Sequence, residues 1–118
     1  MSSRVIRIGI ASEEEIRKRT IEIASGRRKR GPKEPRIWFT SIRAVAEVLS
    51  DKNRELLKIL ANEKPESIQE LSELSGRAES NLSRTLKTME GYGLVRLERR
   101  NRHVRPVADR AEFEVRFG

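Results

Sequence analysis

The 118 residues carry 26 Lys and Arg against 18 Asp and Glu, a net charge of +8, and no cysteine. A chain of this length supports one modest core, and the missing cysteines exclude disulfides, thiolate metal sites and cysteine nucleophiles. With a single histidine, His103, and no apolar run near the ~20 residues that cross a bilayer, neither a histidine relay nor a membrane span finds its residues, so a cytoplasmic protein with no cofactor and no metal is expected.

The basic excess is uneven. Net charge is +6 over residues 1–40, −2 over 41–75 and +4 over 76–118. A polyanion would therefore be met by the N-terminal arm and by the segment after residue 76, with a mildly acidic scaffold between them.

Met1 to Ser3 are expected to fray. From Val5 to Ile10, Ile6, Ile8 and Ile10 alternate with Arg7 and Gly9, the period of a half-buried strand. Ser12 and Glu15 form a capping box, with Glu13 and Glu14 favourable at the positive end of a helix dipole. That helix should run to about Ser25, burying Ile16, Thr20, Ile23 and Ala24, and end at Gly26. Residues 27–36 have no apolar period and read as a linker. Its Arg27, Arg28, Lys29 and Arg30 are either a solvated loop or a basic arm on phosphate or in a minor groove.

Ile37-Trp38-Phe39 is the most apolar run, expected to plug the core beneath the next helix, with anchoring of a partner as the alternative. A helix from Thr40 or Ser41 to Leu49 should bury Ile42, Val45, Ala46 and Leu49. Ser50 and Asp51 cap the next, which buries Leu56, Leu57 and Leu60 before Pro65 forbids continuation. These two helices should support the pair that follows.

Ser67 and Glu70 open a short helix with Ile68, Leu71 and Leu74 as its stripe, stopped at Ser75-Gly76. Leu82, Leu86 and Met89 then recur at i, i+4 and i+7 on a second helix. Two helices joined by a glycine turn predict a helix-turn-helix. The face opposite the second stripe carries Glu79, Ser80, Asn81, Ser83, Arg84 and Lys87, groups able to bond phosphates and base edges in a major groove, although any solvated helix is polar there too. Gly91-Tyr92-Gly93 breaks the helix. Leu94 to Arg99 alternates as a strand, Arg100 to Arg102 turns, and His103 to Val107 returns, giving a hairpin that carries Arg99, Arg100, Arg102, His103 and Arg105. Last, Phe113, Val115 and Phe117 alternate with Glu112, Glu114 and Arg116. This strand should pair with Ile6 to Ile10, within the chain or across a two-fold axis, where Arg7 would meet Glu114, or else offer an edge to another protein.

N-L-S-R-T-L-K-T-M-E-G-Y-G-L-V, Asn81 to Val95, resembles the recognition helix and wing entry of bacterial winged helix-turn-helix regulators of the MarR and ArsR type. The resemblance reaches back through Leu49 to Leu60 and covers roughly residues 37–108. It departs at Ala78, where such helices often have a capping Ser or Thr, and in lacking the long N-terminal dimerisation helix of MarR proteins. The expected fold is α+β: an N-terminal strand–helix arm with a basic linker over 1–36, a winged helix-turn-helix with a helical core and C-terminal β-wing over 37–108, and a final strand over 109–118.

The expected function is that of a homodimeric, sequence-specific double-stranded-DNA-binding transcriptional repressor, not an enzyme. Ser80, Asn81, Ser83, Arg84 and Lys87 would face the major groove, Asn81 suiting adenine and Arg84 guanine, with Arg77 a further DNA contact, while Arg99, Arg100, Arg102 and His103 ride on the backbone or in the adjacent minor groove. Ile6, Ile8, Ile10, Trp38, Phe113, Val115 and Phe117 are the expected dimer contacts. The alternative is an antitoxin that represses its own operon and neutralises a toxin protein through its terminal segments.

Overall fold

Alternation at the N-terminus does produce a strand, and its neighbours decide the architecture of half the chain. In the computed structural model, which describes residues 4–31 and 33–117, the element order is β1 (Arg4–Ile10), α1 (Glu13–Ala24), β2 (Ile37–Phe39), α2 (Ile42–Val48), α3 (Asp51–Glu63), α4 (Ile68–Ser75), α5 (Glu79–Gly91), β3 (Arg96–Arg99), β4 (Val104–Val107) and β5 (Ala111–Phe117). This is an α+β chain. Met1 to Ser3 and Pro32 of the linker lie outside the described residues.

Two compact units divide it, one of residues 5–47 with the C-terminal strand, the other of residues 48–110 together with Arg4. The Ile37–Phe39 run and most of α2, grouped by sequence with the segment that follows, thus fall with the N-terminal arm.

The first unit is built on a three-stranded sheet of order β2-β1-β5. β1 and β2 are parallel, with Ile8 opposite Ile37, Gly9 opposite Trp38 and Ile10 opposite Phe39, so α1 is the crossover of a βαβ unit. Ile8, Ile37 and Phe39 are buried on one face. On the other, the Trp38 ring lies over Gly9 so closely that a Cβ there would come within 2.4 Å of Trp38 Cζ3. Arg19 of α1 stacks its guanidinium 4.8 Å from the centroid of that ring.

The aromatic run forms a strand, and its Ile37 and Phe39 are buried in the core as expected. β5 flanks β1 within the same chain, and Arg7 Nε meets Glu114 Oε1 at 3.4 Å, as alternation implied.

α1 corrects the sequence reading. Ser12 does cap it, Oγ accepting from the Glu15 amide at 3.2 Å, but no residue of the helix is buried: Ile16 and Ile23 are half-covered, Thr20 and Ala24 exposed. The Arg27 and Arg28 amides donate to the Glu22 carbonyl at 3.0 and 3.1 Å, and Glu34 receives Arg28 at 3.3 Å and Arg19 at 3.2 Å. The Arg28 guanidinium holds the Glu34 carboxyl below its ordinary value. In α2, Val45 is buried but Ile42 and Ala46, both expected in its core stripe, are exposed.

The second unit is helical at its core. Leu56, Leu57 and Leu60 of α3, Leu71 of α4, Leu82, Leu86 and Met89 of α5, and Leu94 and Val95 beyond it are buried. Burial is worth about 1.5–3 kcal/mol per side chain of this size. α3 packs on α4 and α4 on α5, while α4 and α5 also touch the β3–β4 hairpin. Leu74, expected in the stripe of α4, lies at its rim and is exposed.

Candidate functional site

The candidate site is the surface built by α4, the turn after it, α5 and the hairpin, all within the second unit. Each boundary has a local cause. Ser67 Oγ accepts from the Glu70 amide at 3.0 Å, and Glu70 reaches back to the Glu66 amide at 3.1 Å, one residue earlier than in a standard capping box. Gly76, at φ 74°, ends α4 in the left-handed region, its amide bonded to the Ser72 carbonyl at 2.9 Å. α5 begins at Glu79, after an N-cap residue, Ala78, whose side chain has no group to cap it. It ends in a Schellman arrangement around Gly93: the Gly93 amide donates to the Glu90 carbonyl and the Leu94 amide to the Met89 carbonyl, both at 2.9 Å. That turn is why β3 starts at Arg96, after the buried Leu94 and Val95.

Arg77, in the turn, behaves differently from the other predicted contacts. Its Nε and one Nη2 hydrogen bond both go to Asn81 Oδ1, at 3.0 and 2.8 Å; Nη1 donates to Asn53 Oδ1 at 3.0 Å, and Nη2 also to Thr85 Oγ1 at 3.2 Å. Four bonds engage a guanidinium with five N–H groups. Its carbonyl meanwhile accepts from Ser72 Oγ at 2.6 Å. Arg77 is thus a half-buried clamp joining α3, the turn and α5, not a side chain projecting outward. Asn81 is exposed, but both lone pairs of its Oδ1 are occupied by Arg77, so a bidentate bond to adenine requires that contact to open.

The remaining predicted residues of α5 divide by position. Ser80, Arg84 and Lys87 are exposed, and their side chains have no hydrogen-bond or ion-pair partner among the described residues; Ser83 is half-buried. Leu82, Leu86 and Met89, wholly buried beneath them, fix which way the helix faces.

In the hairpin, Arg96 faces Val107, Leu97 Pro106, Glu98 Arg105 and Arg99 Val104, and the Arg100 amide closes the loop on the His103 carbonyl at 2.9 Å. Arg99, Arg100, Arg102 and His103 are all exposed. Arg100 is tethered to Glu98 at 3.1 Å, and the same carboxylate lies 3.6 Å from Arg96 and 3.9 Å from Arg105. Glu98 is therefore the counter-charge of the hairpin, a role unassigned from sequence although the alternation of a two-stranded hairpin sets Glu98 opposite Arg105. Arg105 Nε is buried without a hydrogen bond among the described residues and lies 4.0 Å from Glu66 Oε1.

The basic arm is outside this unit. Arg28 is spent on Glu34 and Glu22, Arg27 Nε donates to Ser25 Oγ, and Lys29 and Arg30 remain exposed. Of the expected dimer contacts, Ile8 is buried within its own chain, Ile6, Ile10, Trp38 and Phe113 are half-covered, and Val115 and Phe117 are exposed. Asn53 and Thr85, which position Arg77, were not anticipated; Asn53 lies 24 residues from Arg77, and no local pattern links them.

Among the described residues there is no group of His, Asp and Glu arranged to hold a metal ion, and no helix is long and apolar enough to cross a membrane. No curated protein matches the chain. Residues 48–115 match the model of the HVO_A0114 family, a span that takes in α3, α4, α5 and the hairpin.

Proposed function

The chain belongs to the HVO_A0114 family, and we propose that its matched segment is a winged helix-turn-helix, of the kind found in MarR and ArsR regulators, that binds double-stranded DNA in a sequence-specific way. α5 is the recognition helix and the β3–β4 hairpin the wing. The observation that carries this reading is that Arg84, Lys87 and Ser80 are solvent-exposed on α5 with no side-chain hydrogen bond or ion pair among the described residues, in the same compact unit as the exposed Arg99, Arg100 and Arg102. Arg84 presents the fork that matches the guanine O6 and N7 edge; Lys87 and the hairpin arginines supply sequence-independent charge on phosphates. Arg77 positions the helix, and Asn81 is a reader held in reserve by Arg77.

Cytoplasmic repression of transcription by a homodimer is the corresponding biological role, since one such module reads only a short half-site. Selection of bound duplexes from a randomised library tests it: enrichment of one motif, arranged as an inverted repeat, is expected, and recovery of unenriched DNA or of none would overturn it.

A further inference from the structure

The two edges of the three-stranded sheet are unlike. β2 is three residues long, follows the buried Pro35 and closes immediately, the short edge by which proteins discourage further pairing. β5 is seven residues long, has neither proline nor glycine, and among the described residues no strand lies beyond it. Its apolar side is only partly covered: Phe117 is 70% and Val115 41% exposed.

The strand is also self-complementary. A two-fold axis normal to the sheet runs two β5 copies antiparallel and keeps each side chain on its own face, so only registers centred on a residue are allowed. Centred on Val115, Phe113 lies opposite Phe117 twice and Glu114 opposite Arg116 twice, so every charged pair is of opposite sign and every apolar pair shares a face. Centred on Glu114, the neighbouring register sets that carboxylate against its own copy. We infer that β5 is the homodimer interface, pairing antiparallel with β5 of a second copy about Val115 to make one six-stranded sheet. This deepens the homodimer part of the reading above and stands independently of DNA binding.

The test is sedimentation equilibrium of the full chain, a 13.6 kDa protomer, through the micromolar range. A species of twice that mass is expected. Arg116→Glu sets two carboxylates against Glu114, and Glu114→Arg sets two guanidinium groups against Arg116; each should raise the dimer dissociation constant about tenfold or more. An equimolar mixture of the two variants should recover the dimer, because one strand then carries two negative charges and the other two positive. Far-UV circular dichroism melts verify that each variant is folded. Phe117→Ser, at an exposed position that folding of the single chain does not bury, should weaken dimerisation likewise. A wild-type chain that stays monomeric, charge variants that dimerise as tightly as wild type, or a mixture that remains monomeric would each overturn the assignment. Duplex binding by a monomeric chain would remove this interface and leave the DNA reading intact; a dimer of the expected behaviour that binds no DNA would do the reverse.

Discussion

Arg77 and Asn81 are held together by two hydrogen bonds onto one oxygen, Nε at 3.0 Å and Nη2 at 2.8 Å, four residues apart across the start of α5. The helix lacks a side-chain cap at Ala78, and Arg77 supplies order at that end by joining Asn81 and Thr85 to Asn53 of α3. Arg77→Ala removes bonds from a charged donor and strands three acceptors, so it should lower stability by about 1–3 kcal/mol in urea titrations. Arg77→Lys, which has no planar fork, should rescue little. Stability equal to wild type in both would show the clamp to be idle.

Asn81→Ala gives a second outcome. If Asn81 is occupied by Arg77, its loss should change affinity for a selected duplex less than loss of Arg84, whose side chain has no hydrogen bond or ion pair to give up among the described residues. A greater loss at Asn81, read by fluorescence anisotropy, would mean that the Arg77 contact opens on binding.

Glu98 pairs with three arginines, Arg96, Arg100 and Arg105, of the hairpin that the proposed role uses as a wing. Its arginine partners are 25–63% exposed, so the pairs contribute little to stability, on the order of 0–1 kcal/mol. Glu98→Gln should therefore leave the fold nearly unchanged, tighten binding to duplexes of any sequence, and release Arg100 for phosphate. Arg102→Ala should do the opposite, weakening all sequences alike and shallowing the log–log salt dependence by about 1. Identical salt slopes for wild type and both variants would place the hairpin away from DNA.

Gly9 and Trp38 provide a test of the first unit. A methyl group at Gly9 would collide with the ring, so Gly9→Ala should cost about 1–3 kcal/mol. Trp38→Val should accommodate that alanine, making the double substitution less costly than the sum of the two. Additive costs in thermal melts would mean that the ring does not lie on Gly9.

Glu34 gives the unit a pH dependence of definite sign. Arg28 lowers its folded-state pKa beneath the ordinary 4.5, so the folded chain prefers the ionised form. The stabilisation is complete above the unfolded value and is lost as pH falls below it through the folded value. The stability difference between wild type and Glu34→Gln should be constant near neutral pH and shrink on acidification below about 4.5. A difference that grows on acidification would reverse the assignment.

What could be read in advance was local. Ser12, Ser50 and Ser67 cap their helices because the bond spans three residues, and the leucines of α3 and α5 are buried where their period places them. Alternation at both ends even gave the Arg7–Glu114 contact. What stayed hidden depended on distant partners. Trp38 falls opposite Gly9 because β2 pairs with β1 across the whole of α1, and Arg77 turns inward because Asn53 waits one helix away. An arginine in a basic segment looks the same in sequence whether it reaches out or in, and only the acceptors around it decide.

In the proposed function, α5 reads DNA through its exposed face. Its most direct test is the affinity of wild type and Arg84→Ala for a duplex selected by the wild-type protein, at fixed salt, alongside a scrambled duplex. Loss of about 1–3 kcal/mol on the selected duplex, with little change on the scrambled one, is the predicted result. Unchanged affinity for the selected duplex would contradict it.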